Sequence, residues 1–179
     1  MLISNPDGSY APDVPKVRLD CAMAVSCASL FPLAVVYLAV GQVYLFQMVS
    51  ALTVTSVLAD AVFHNNPFFD LLDRYWASAC VLCIVSYAFS WLGGAFSLSE
   101  PNYPPLWMML TAVPLQLGLL LAPLSFLQKS RSFPIGSEEW RRAHAEWHYC
   151  AAVCCSITAF VSRYLLELSG DSKISAPLQ

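Results

Sequence analysis

Charge is what this sequence has least of. Only 12% of its residues are charged, against the roughly 25% of an ordinary soluble domain. The charges sit in short islands, and the stretches between them approach the roughly 20 mostly apolar residues that cross a bilayer core. With 58% hydrophobic residues, the soluble globular class is excluded. Basic residues are scarce too. Nine Lys and Arg against twelve Asp and Glu give a net charge of -3, which leaves no basic footprint for nucleic acid. The opening segment MLISNPDGSYAPDVPKVRLD lacks the positive start, apolar middle and small-residue cleavage site of a secretory signal. It also lacks the Arg-rich, acid-poor pattern of a transit peptide, and it reads as a retained surface arm. There is no internal repeat, no selectivity-filter pattern and no ladder of charges through successive depths, which counts against a channel or carrier.

What is present is a series of apolar runs. They read as an all-α polytopic membrane bundle of about five transmembrane helices, covering about 21–40, 43–63, 75–97, 106–128 and 139–168. A polar arm, 1–20, precedes this transmembrane domain of 21–168, and a polar tail, 169–179, follows it. Gly41-Gln42 breaks the first long run, and SEPNYPP separates the third and fourth spans, because proline cannot continue a helix. Pro114 and Pro123 lie inside the fourth, which predicts a kink or a partly re-entrant path. Ser137, followed by Glu138 and Glu139, reads as the N-cap and acidic first turn of the fifth. Seven cysteines fall in or beside apolar runs. The Cys80-x-x-Cys83 pair lies in CVLCIVSYAF, where cysteine reads as a small hydrophobe rather than as a redox or zinc pair.

Five spans put Lys16, Arg18, Arg74, Lys129, Arg131, Arg141 and Arg142 on one side, with Arg163 and Lys173 on the other. This positive-inside bias turns the amino terminus toward the cytoplasm, or the matrix or stroma of an organelle, and the carboxyl terminus away from it.

The same side collects ionisable residues that apolar spans normally exclude. Asp60 and His64 stand one turn apart at the end of span two, with Ser56 a turn deeper. Asp73 opens span three, and His144 and His148 open span five. All three histidines of the chain therefore gather at one depth. Three imidazoles suit a zinc ion with an open position for water or substrate. Asp60 or Asp73 could orient a ligand imidazole or accept a proton. The competing reading of EWRRAHAEWHY is an interfacial aromatic belt.

HAEWH at 144–148 is similar to the H-x-x-W-H signature in the last span of the CREST superfamily of membrane proteins, which includes alkaline ceramidases, progestin and adipoQ receptors and myomaker-type proteins. FH at 63–64 resembles that family's second-span histidine, and LLDRYW at 71–76 its third-span aspartate motif. The resemblance implies a helical bundle, zinc held by His64, His144 and His148, and hydrolysis of a lipid amide such as ceramide with Asp73 assisting. The family has a serine four residues before the second-span histidine, where this chain has Asp60, and seven spans where five are read here. Two functions are expected from this. One is a zinc-dependent hydrolase of membrane lipids that uses Asp60, Asp73 and Ser56. The alternative is a non-catalytic accessory subunit of a larger membrane complex, with a degenerate site of the same kind.

Overall fold

A computed structural model describes residues 19–63, 66–92, 106–134 and 137–168. Among the described residues the chain is helices and the turns between them, with no strand. In order these are α1 (Cys21–Ala28), α2 (Leu30–Ala39), α3 (Val43–Ser56) with a π-helical continuation (Val57–Val62), α4 (Pro67–Ala88), α5 (Leu106–Ser130) and α6 (Glu138–Leu168). α1 and α2 form one rod interrupted at Ser29, and α3 with its continuation forms a second. Among the described residues four rods, rather than the five expected, are long and apolar enough to cross a membrane: Cys21–Ala39, Val43–Val62, Leu106–Ser130 and Glu138–Leu168; α4, the expected third span, is not one of them. The protein is thus an all-α integral membrane bundle.

Local chemistry explains the helix ends. The Asp20 side chain accepts a hydrogen bond from Met23 N at 3.1 Å and caps α1. Gly41 takes φ +79°, and the Gly41 and Gln42 amides return to the Leu38 and Tyr37 carbonyls at 3.0 and 2.7 Å. That is a Schellman closure, whose left-handed residue favours glycine. α4 starts at Pro67, ahead of the expected position near 75, because Asn66 caps it by accepting from Phe68 N at 3.0 Å and proline suits the first turn. The far end of the expected third span lies outside the described residues. Ser137 Oγ accepts from Trp140 N at 3.0 Å, the cap read from the sequence. The expected re-entrant path is not found. α5 runs unbroken through Pro114 and Pro123 over 25 residues, and within the bilayer neighbouring groups can satisfy what proline removes.

α5 lies along α6, α2 packs on α3 and α6, and α3 packs on α4. Tyr37, Val49, Cys80, Trp91, Met108 and Ala159 meet in the shared core. One polar chain crosses it. Trp91 Nε1 donates to Gln116 Oε1 at 3.0 Å, and Gln116 Nε2 donates to Ser162 Oγ at 2.9 Å, all three residues being buried. Replacing Gln116 by leucine strands the indole N–H, and is expected to lower bundle stability by about 1–2 kcal/mol, read as a lower denaturation midpoint in detergent.

The other end of the bundle, where α1, α4 and α6 begin and the π segment finishes, is held by longer-range polar contacts. Asp20 N donates to the Ala61 carbonyl at 2.9 Å, Arg141 reaches Asp20 at 3.4 Å, and Lys129 pairs with Glu146 at 2.8 Å. This is the end that carries the ionisable residues.

Candidate metal centre

Three elements bring the donor atoms together. In α6, one turn separates His144 from His148, so both rings leave the same face. The π-helical segment widens the last turns of the second rod, closing with Phe63 N on the Leu58 carbonyl at 2.8 Å. Such bulges recur at functional sites, because they re-aim side chains that a regular helix would hold elsewhere. Here the segment points Asp60 at α6 while Ser56, just before it, faces α4. α1 lies against both the segment and α6 and contributes Ser26 and Cys27.

Asp60 is at the centre. Its Oδ2 lies 3.0 Å from His144 Nε2, 3.9 Å from His148 Nε2 and 3.9 Å from Cys27 Sγ. One ligand atom from each of Cys27, Asp60 and His148 lies within 4.8 Å of the others. His148 is fully buried, and its ring is fixed from behind. Its Nδ1 lies 3.2 Å from Ser26 Oγ, and Ser26 donates its own proton to the Met23 carbonyl at 2.8 Å. In the tautomer in which Ser26 Oγ accepts, the imidazole proton sits on Nδ1 and Nε2 carries the lone pair. That Nε2 has no hydrogen-bond partner. It faces the Asp60 carboxylate at 3.9 Å, too long for a hydrogen bond. In that tautomer a nitrogen lone pair and a carboxylate oxygen at this separation fit a cation placed between them. A ligating histidine normally donates its other N–H in just this way. The residues present can therefore hold a metal ion.

Aromatic rings pack around the pair. Trp140 stacks on His144 at 4.7 Å between centroids, and Trp147 lies 4.6 Å from His148. The histidines thus belong to the interior rather than to a belt facing lipid headgroups.

No family model, curated protein or solved structure matches the chain.

The sequence suggests three imidazoles. Two of them, His144 and His148, lie among the described residues, with the Asp60 carboxylate and the Cys27 thiol close by. His64 lies outside the described residues, and the π segment ends at Val62, before it. Ser56 and Asp73 form a second pair. Ser56 Oγ donates to Asp73 Oδ1 at 2.5 Å, and Thr55 Oγ1 lies 3.4 Å from the same oxygen. Cys27 and Ser26 were not anticipated. Both sit in an apolar run, and only the packing of α1 against α6 reveals them. Cys80 and Cys83 are core residues, the first buried and the second partly so.

Ser26→Ala removes the acceptor that orients His148. Metal affinity is expected to fall about 10–100-fold, as for other lost outer partners, measured by competition with a chromophoric chelator.

Proposed function

We propose that this protein is a membrane-embedded zinc hydrolase that cleaves a lipid amide, with zinc held by His148 and Asp60. The observation that carries this is the unpartnered Nε2 of buried His148 facing Asp60 at 3.9 Å. Nitrogen and oxygen donors of this kind suit zinc. His144 Nε2 lies 3.0 Å from Asp60 Oδ2 and holds that carboxylate by a hydrogen bond.

The pairing of Ser56 with Asp73 adds support to the CREST resemblance by a shift of register. Ser56 stands four residues before Asp60, so Asp60 takes the place of the family's second-span histidine. Asp73, held by Ser56, matches the third-span aspartate. Read this way, the serine is not lost, and a carboxylate replaces one imidazole.

Zinc held there would supply an activated water near neutral pH and polarise the carbonyl under attack. The chain would supply the rest. Asp73, held by the Ser56 hydroxyl, would be the acid–base group, taking up a proton as the C–O bond forms and giving it to the leaving nitrogen as the C–N bond breaks. Ser26 keeps His148 in register. An apolar groove of about 400 Å³ between Ser29, Leu33, Tyr149, Val153 and Phe160, on the α2 and α6 faces, is of a size and polarity to take an acyl chain. The excess of basic residues puts the site at the cytoplasmic, matrix or stromal face.

The test is release of fatty acid from a ceramide-type amide by the purified protein in detergent. Hydrolysis is expected, is abolished by a strong chelator and returns with zinc. A second reading is favoured by Cys27: cysteine ligands are commonest in structural zinc sites, as in an accessory subunit of a larger complex. Full zinc occupancy with no amide cleavage, and migration with partner subunits on native electrophoresis, would favour that reading.

A further inference from the structure

We propose that Cys27 is the third protein ligand of this metal, beside Asp60 and His148, the three ligand atoms all lying within 4.8 Å of one another, so that one position of a tetrahedral ion stays open. This rests on the zinc reading above and goes beyond it. The resemblance supplies histidines and an aspartate but no thiol.

Cys27 is fully buried. A buried cysteine usually acts as a small hydrophobe, and the contact of Cys27 with Met23 and Ala61 fits that role. Its sulfur, however, turns toward the Asp60 carboxylate at 3.9 Å, to which the thiol donates, so it is aimed at the same oxygen that faces His148. Zinc bonds of about 2.3 Å to sulfur and 2.0–2.2 Å to oxygen put tetrahedral S and O ligands about 3.6 Å apart. The observed separation needs only a small contraction around the ion. Cys27 also follows Ser26, whose hydroxyl orients His148, so one turn of α1 sets both ligand and support. On coordination the thiol loses its proton to the medium as the S–metal bond forms.

The metal site therefore depends on the placement of the thiolate. α1 is the element that carries it, eight residues long and separated from α2 at Ser29. It is tied to the π segment by the Asp20–Ala61 hydrogen bond and to α6 by Arg141.

The test loads the detergent-purified full chain with Co²⁺ in place of zinc and records its absorption spectrum beside its metal content. One bound cobalt with a near-ultraviolet thiolate-to-cobalt band is expected. The band is lost in Cys27→Ser and retained in Cys155→Ser. Stoichiometric cobalt without that band in the wild-type chain overturns the role of Cys27 and leaves the zinc reading standing. A band that survives Cys27→Ser also overturns it. Failure to bind cobalt or zinc at all overturns the zinc reading as well. If Cys27→Ser does not fold, X-ray absorption at the zinc edge of the wild-type protein decides the same point, by the presence or absence of one sulfur neighbour.

Discussion

His148→Ala is expected to leave the protein without its metal, and with it the stability that the metal confers. The reasoning is local. His148 is fully buried and faces Asp60, and its Nε2 has no hydrogen-bond partner. Alanine removes that lone pair and also leaves Ser26 without its imidazole. A ligand that binds only the folded state stabilises it by about 4 kcal/mol when present at 1,000 times its dissociation constant. The wild-type protein is therefore expected to show a clear drop in denaturation midpoint on adding a chelator. His148→Ala should start low and show no chelator effect. A chelator response equal to that of the wild type would mean that the metal, if bound, sits elsewhere.

Asp73→Asn separates chemistry from metal binding. Asp73 is bonded to Ser56 and Thr55, not to the histidines, so zinc content should hold. Asparagine keeps the shape but cannot accept the proton, and amide cleavage is expected to fall about 10²–10⁴-fold, the usual contribution of a positioned acid–base group. Ser56→Ala should cause a smaller loss, because the carboxylate remains but is less well held. Hydrolysis unchanged in Asp73→Asn would remove Asp73 from the mechanism.

The fold was legible because the bilayer leaves few choices. Backbone polar groups must be satisfied within each segment, so apolar runs of sufficient length read as helices, and Gly41 and Ser137 mark two of their ends, while the Asn66-Pro67 start of α4 is obscured by the charged residues that follow it. The path of α5 was less legible. Pro114 and Pro123 announce a break when the segment is read alone, and only its environment lets the helix continue. At the site, His144 and His148 follow from helical spacing, and Asp60 from the cost of a carboxylate in an apolar run. The grouping of Asp60 with Cys27, and of Ser56 with Asp73, joins residues 33 and 17 positions apart, and no local periodicity carries such pairings. Cys27 was the hardest to see, since a cysteine in an apolar helix looks the same whether it fills space or holds a metal. Gln116 was missed for a related reason: one amide among leucines shows its purpose only when Trp91 and Ser162 are seen on either side of it.

The central claim is that α1, the π segment and α6 converge on a bound metal. It is tested most directly by measuring the metal content of the full chain, extracted in mild detergent and purified without added metal or chelator. The account predicts about one zinc per chain, as a site of this donor set requires, lost together with His148. A well-folded chain that carries no stoichiometric metal and takes none up from zinc-containing buffer would contradict it.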